Sequence, residues 1–165
     1  MTRDARGQAM VEFALVMPII AVLLFGLLDV GRVVWALDSI STAAREGARF
    51  AIVHGGSPAT ACPVGPAAAT ANVPAASPSC PNPSPSKQAI KDIASGGAIA
   101  AGGAITVDVC YGDGCTGDTD VSGATNARGT LVTVRVHSTV SLVLAALLRL
   151  GDFTLTGTST MLVNN

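Results

Sequence analysis

One uncharged, strongly apolar run near the N-terminus constrains the fold of this chain more than any other feature. Residues 13–28 read FALVMPIIAVLLFGLL and are mostly Phe, Leu, Ile and Val. Each of these residues favours insertion at mid-bilayer by about 0.3–0.6 kcal/mol, so the run gains roughly 5 kcal/mol on entering a membrane. As a helix it is about 24 Å long, slightly short of a ~30 Å hydrocarbon core. We therefore expect residues 9–12 to complete the span.

The charges on either side of this run predict its orientation. Arg3 and Arg6 precede it, whereas acidic and basic residues are mixed beyond it. The positive-inside rule then places the N-terminus in the cytoplasm and the rest of the chain outside. A cleaved signal peptide with its site at residues 34–36 is the alternative, but the helical pattern continues across that site without a break. We predict a single-pass protein of the cytoplasmic membrane, with the lipid bilayer as a partner.

A helical pattern continues beyond the span. Apolar residues recur at three- and four-residue steps from Val30 to Ala51, and the sequence HGGSP at residues 54–58 ends the pattern. Ala43, Gly47 and Ala51 form a row of small residues on this helix. Either another helix or this chain's own sheet can pack closely on such a row, and the sequence leaves both open.

The remainder of the chain has the pattern of a small extracytoplasmic head. Residues 55–86 are rich in Pro, Ala and Ser and predict a loop, and residues 87–101 predict a short helix. Three segments alternate apolar and polar residues and predict strands: residues 105–110, 132–137 and 153–160. The predicted fold class is α+β, with a long N-terminal helix and a small antiparallel sheet packed on its outer half.

A further apolar segment lies between the last two predicted strands. Residues 142–150 read LVLAALLRL and are much too few to span a bilayer. We expect this segment in the core, and the alternative is an apolar patch lying on the membrane or against a partner.

All four cysteines lie beyond the span, on the side where disulfide bonds persist. Four cysteines permit three pairings. We favour Cys62–Cys80, which closes the Pro-rich loop, and Cys110–Cys115, which closes a short turn, because short loops bring their ends together readily. Their spacing does not resemble that of a zinc site.

Composition and motifs argue against several functions. The net charge is −1 and aromatic residues make up 4%, so the chain has no basic field and few rings for binding nucleic acid. It contains no nucleophile elbow, phosphate loop or His-rich metal motif, and we expect neither enzymatic activity nor a cofactor. Residues 118–123 read DTDVSG and begin like a calcium loop, but Gly129 stands where a bidentate Glu is needed. A turn between strands is the favoured interpretation.

The leader, span and head together resemble the TadE-like pseudopilins, minor pilin-like proteins of the tight-adherence (Tad or Flp-type, type IV) pilus machinery. The resemblance rests on RGQAMVEFALVMPIIAVLLFGLLDVGR at residues 6–32 and AREGAR at residues 44–49, and more weakly on LTGTSTMLV at residues 155–163. It implies that the α+β fold is pilin-like, and it implies cleavage by a prepilin peptidase between Gly7 and Gln8.

The same resemblance makes Glu12 the fifth residue of the mature chain and assigns Glu12 and Phe13 to assembly and recognition. The mature N-terminal amine of one subunit could then neutralise the Glu12 carboxylate of another. The alternative is that Glu12 reaches back to interfacial water and needs no partner.

The expected role is that of a minor subunit in Tad pilus assembly, because the mature chain would begin with the polar Gln8 and the head is larger than that of a Flp-type major pilin. The expected partners are a prepilin peptidase, sister Tad pilins and pseudopilins, and the inner-membrane assembly platform. The other candidate is a membrane-anchored extracytoplasmic module that binds a ligand or a partner. The predicted domains are a leader (residues 1–7), a transmembrane helix (8–28), its continuation (29–54), the loop (55–86) and the head (87–165).

Overall fold

The computed structural model describes residues 4–55, 64–66, 87–98, 101, 103–147, 149 and 151–164. Most of the predicted Pro-rich loop lies outside these residues, and so does the predicted Cys62–Cys80 disulfide. The helices are α1 (Asp4–Val53), α2 (Gln88–Gly97) and α3 (Val143–Leu147), and the strands are β1 (Ile105–Tyr111), β2 (Leu131–Val140) and β3 (Phe153–Leu162).

The three strands form one antiparallel sheet in the order β1-β2-β3. Val109 of β1 lies opposite Val134 of β2, and Val136 of β2 lies opposite Gly157 of β3. Because side chains alternate between the faces of a strand, this register places the buried valines on one face and most of the Thr side chains on the other. The strand pattern read from the sequence is therefore the pattern of the folded sheet.

The outer half of α1 packs on the apolar face of this sheet. Ile40, Ala44 and Ala48 are fully buried in the shared core. The two elements approach closely at Gly157, where a Cβ would lie 2.7 Å from the Ile40 carbonyl oxygen. Only glycine fits at that distance, so this residue allows β3 to contact the α1 backbone directly. The predicted α+β, pilin-like fold is confirmed.

The row of small residues on α1 packs against α2 and the sheet. Ala43, Gly47 and Ala51 are all buried. A Cβ on Gly47 would lie 3.0 Å from the Ala94 Cβ of α2 and 3.3 Å from the Val134 Cγ1 of β2. Of the two packing partners that the sequence left open, the structure shows the intramolecular one.

The segment after β2 belongs to the core only in part. Ala145 of α3 is buried and Leu142 packs against the core, but Val143 and Leu147 are 48% and 69% exposed. The prediction that this segment is core is therefore wrong for the outer face of α3. The reason is geometric, because a single short helix lying beside α1 presents only one of its faces to the protein.

The short-range disulfide prediction is confirmed. Cys110 at the end of β1 is bonded to Cys115, and their Cα atoms are 5.9 Å apart. Arg135 of β2 lies beside this bridge, and its Nη2 donates to the Cys115 carbonyl oxygen at 2.9 Å. The bridge and this hydrogen bond hold the turn after β1 against the neighbouring strand.

The acidic turn at residues 118–123 binds the protein's own backbone. Asp118 Oδ1 accepts from the Val109 amide at 3.0 Å, and Asp120 Oδ1 accepts from the Tyr111 amide at 2.9 Å. The turn thus fastens itself to the edge strand β1. Among the residues that the structure describes, no group of three or more His, Cys, Asp or Glu is placed to hold a metal ion.

Two lysines at the start of α2 complete this arrangement. Lys87 Nζ lies 3.0 Å from Asp120 Oδ1, and Lys91 Nζ lies 2.6 Å from Asp118 Oδ2. Burial alone would raise the pKa of Asp118, but the Lys91 hydrogen bond, the Val109 amide and the charges of both lysines outweigh it and lower the pKa. Both carboxylates therefore accept hydrogen bonds from backbone amides and form ion pairs with lysines. This agrees with the interpretation of the segment as a turn.

Candidate functional site: the uncovered half of α1 and its junction with α3

The rest of the described chain leaves the first half of α1 uncovered. Every residue from Gly7 to Ile20 is exposed, and the large apolar side chains from Met10 to Leu28 are 45–77% exposed. Within the part of the chain that the structure describes, α1 is the one helix long and apolar enough to cross a membrane. A surface of this length and apolarity is consistent with single-pass anchoring in a bilayer.

The predicted cleavage and assembly residues lie together on this uncovered half. A Cβ added at Gly7 would meet no neighbouring atom within 4 Å, and Phe13 is 65% exposed. Gln8 and Glu12 are one helical turn apart, and Gln8 Nε2 donates to Glu12 Oε1 at 3.2 Å. The carboxylate thus has a neutral partner in its own chain, which neither sequence interpretation of Glu12 included.

Asp29 lies at the junction between the uncovered and the covered halves. It is only 5% exposed. Its Oδ1 accepts from the Val143 amide at 3.0 Å and its Oδ2 from the Leu144 amide at 2.8 Å. These are the first two amides of α3, which have no acceptor within their own helix, and a negative charge is favoured there. Asp29 therefore caps α3 from a distant point in the sequence.

The sequence reasoning did not identify Asp29 as a structural residue. One signal was present, since a carboxylate directly after a long apolar run needs a partner if it is not to be left unpaired in an apolar environment. The partner itself has no local signal, because it consists of two backbone amides 114 and 115 residues away.

An open apolar groove of about 740 Å³ lies between α1 and α3. Its walls are aliphatic side chains of both helices together with Phe153 of β3, and Asp29 lies among them. Leu144 Cδ2 contacts α1 at Gly26, 3.9 Å from the position that a Cβ would take. On the α1 side, Val30 and Val34 are 61% and 60% exposed. The uncovered apolar surface of α1 therefore extends past residue 28.

Comparison with known proteins finds one family similar to the N-terminal part of the chain. Residues 7–49 match the family model described as TadE-like protein. This segment is similar to the TadE-like proteins. The match confirms the resemblance predicted from the sequence and supports a Tad-related, pilin-like role in general terms. No curated protein and no solved structure matches the chain.

The TadE-like segment covers about a quarter of the chain and maps entirely onto α1. It begins at Gly7, includes Glu12 and Asp29, and ends at Arg49 within the covered half of the helix. The two ends of the matched segment thus have different environments. The rest of the protein leaves the N-terminal end uncovered, whereas the C-terminal end packs against the head.

Proposed function

We propose that this chain is a TadE-like minor pseudopilin that a prepilin peptidase cuts after Gly7 and that takes part in assembling Tad/Flp-type pili at the cytoplasmic membrane. The observation that carries the proposal is a TadE-like helix whose first half is uncovered and whose second half is fixed to a small α+β head. In this role the chain catalyses no reaction and needs no cofactor. Its partners are the peptidase, sister Tad pilins and pseudopilins, the assembly platform and the bilayer.

The position of the cleavage site favours access by a peptidase. Helix α1 begins at Asp4, so the bond between Gly7 and Gln8 lies close to its N-terminal end. The first four amides of a helix lack intrahelical acceptors, and glycine destabilises a helix by about 1 kcal/mol relative to alanine. The end of α1 therefore opens at low cost, which favours access to this bond.

Cleavage would change the partner of Glu12. In the uncut chain the carboxylate accepts a hydrogen bond from the neutral Gln8 amide. The new N-terminal amine is positively charged at neutral pH, and a charged donor binds a carboxylate more strongly than a neutral one. In a low-dielectric bundle of helices, the amine of a neighbouring subunit would compete successfully for Glu12 and fix the axial register of the two chains.

Intact-mass spectrometry tests the processing step. The full chain is co-expressed with an active or an inactive prepilin peptidase and extracted from the membrane. We expect a chain that starts at Gln8 with the active enzyme only, and we expect Gly7→Val to block cleavage. Gly31→Val is the matched control, because a Cβ at Gly31 also meets no neighbouring atom. A chain that still starts at Met1 or Thr2 with active peptidase contradicts the proposal and favours the anchored binding module.

Counting pili in cells that carry Glu12→Val tests the assembly role. The variant should insert and be cleaved normally, because it removes a charge from an exposed position, yet pilus formation should be impaired. Gln8→Ala removes the intramolecular hydrogen bond but retains the carboxylate, and it serves as the control once intact mass has shown that this variant is still cleaved. Normal numbers of pili in the Glu12→Val strain would show that the proposed registry role is wrong.

A further inference from the structure

Helix α3 lies at the level of the last turn of the predicted transmembrane segment. Leu144 contacts α1 at Gly26, and the first two amides of α3 are bonded to Asp29. Gly26 belongs to the predicted span, residues 8–28. If α1 is inserted as proposed, α3 therefore lies at the extracytoplasmic edge of the bilayer and not in bulk water.

The surface that α3 and β3 present at this level is apolar. Val143, Leu147 and Phe153, which together we call the foot of the head, are 48%, 69% and 48% exposed. The foot adjoins the groove between α1 and α3, which opens between aliphatic walls. Exposed apolar surface of this kind, next to a membrane-spanning helix, is the surface expected of a segment that lies in the membrane interface.

The adjoining turns of α1 have the same character. Val34 and Trp35 are 60% and 63% exposed, and Trp35 lies about 10 Å beyond Leu28 along the helix. Tryptophan is enriched at membrane interfaces. The two charges in between oppose burial less than free charges would, because Asp29 is bonded to two amides and the long side chain of Arg32 can extend to the lipid headgroups.

We infer that the foot binds the acyl chains of the extracytoplasmic leaflet, so that the hydrocarbon boundary on α1 lies near Trp35 instead of Leu28. Residues 13–34 then form a span of about 33 Å, which matches a full bilayer core without residues 9–12. Glu12 consequently lies at the cytoplasmic interface. The inference rests on the proposed membrane insertion of α1, but on neither its processing nor its role in pili.

Lipid fits this surface better than a second helix does. Close packing of membrane helices relies on small residues that let the backbones approach. The foot consists of Val143, Leu147 and Phe153, and the row of small residues on α1 is already covered by α2 and the sheet. Flexible acyl chains fill an open groove between large aliphatic side chains without requiring such a row.

Depth-dependent fluorescence quenching tests the inference, since Trp35 is the only tryptophan in the sequence. The full chain is reconstituted into vesicles of phosphatidylethanolamine and phosphatidylglycerol with brominated acyl chains. Quenching of native Trp35 tests whether the proposed hydrocarbon boundary lies near this residue. Quenching of Leu147→Trp, made in a Trp35→Phe background, tests whether the foot contacts acyl chains. In the same background, Leu24→Trp reports insertion of α1, and Val53→Trp reports the far end of α1, about 27 Å beyond Trp35.

We expect the brominated lipids to quench Leu24→Trp, Trp35 and Leu147→Trp. Each should lose a fraction of its emission that is at least roughly twice the fraction lost by Val53→Trp. If Leu24→Trp is quenched but Leu147→Trp is quenched no more than Val53→Trp, the inference is overturned. Membrane insertion of α1 would still stand. A blue-shifted but unquenched Leu147→Trp also overturns it, because protein and not lipid would then cover the foot. An unquenched Leu24→Trp contradicts the inference together with the proposed insertion of α1.

Discussion

Removing the Asp29 carboxylate should release α3 from α1 while the sheet stays folded. Asp29 is 5% exposed and accepts two amide hydrogen bonds of 3.0 and 2.8 Å. Substituting a capping residue with alanine costs about 0.5–2 kcal/mol, and hydrogen bonds to a charged group contribute about 1.5–3 kcal/mol. The two ranges overlap near 2 kcal/mol, which we take as the cost of Asp29→Ala. Since α3 is only five residues long, this cost should appear as local opening of α3.

Hydrogen exchange of the Val143 and Leu144 amides measures this opening directly. A loss of about 2 kcal/mol corresponds to roughly 30-fold faster exchange of both amides in Asp29→Ala. Asp29→Asn retains one acceptor oxygen and should give an intermediate rate. Asp38→Ala removes an exposed aspartate from the same helix and is the matched control. If Asp29→Ala exchanges at the control rate, the carboxylate does not hold α3 and the capping interpretation is refuted.

Three further perturbations test the packing of the head. Gly47→Val should lower the free energy of unfolding by about 1–3 kcal/mol, because its side chain would crowd Ala94 and Val134. Gly31→Val should lack this overpacking cost, and thermal melting of the two variants compares them. Replacing Cys110 and Cys115 with serine should cost about 2 kcal/mol in denaturant unfolding, since the closed loop is short; an unchanged midpoint would contradict this. Because the pKa of folded Asp118 lies below its ordinary 3.8, its contribution is complete above about pH 5 and is lost as the pH falls through the lowered pKa. Asp118→Asn should remove that acid-dependent part, which is under about 1 kcal/mol because the Asp118 side chain is about half exposed, and an unchanged acid titration would refute it.

The main elements of the fold were predictable because their signals are periodic. The alternation around Val107, Val134 and Leu155 identified strands, since one face of each strand meets the core. The three- and four-residue pattern of α1 identified a helix for the same reason. The row at Ala43, Gly47 and Ala51 was ambiguous, because small residues permit close approach of any backbone, whether from the same chain or from another.

The junction was not predictable to the same degree. The run at residues 142–150 is apolar throughout, so its composition does not distinguish a buried face from an exposed one. The partnership of Asp29 with the start of α3 joins residues more than a hundred positions apart through backbone atoms, which carry no sequence identity. The contact between Asp29 and α3 can be recognised only from the folded structure, in which β2 and β3 place α3 beside α1.

The packing of α1 also limits how the proposed subunits can contact one another. Since Ala43, Gly47 and Ala51 are buried within the head, they are not available for helix contacts in a pilin-like assembly, and the longest uncovered part of α1 is its first half, residues 7–28. That segment has no two small residues four positions apart, so its helices would pack at the ordinary distance of about 8–10 Å through aliphatic ridges and grooves. Aliphatic ridges tolerate a shift by one turn, whereas a single buried polar group can specify register. Glu12 is the one charged residue in that segment, and it is therefore the residue able to supply the axial register that apolar packing leaves open.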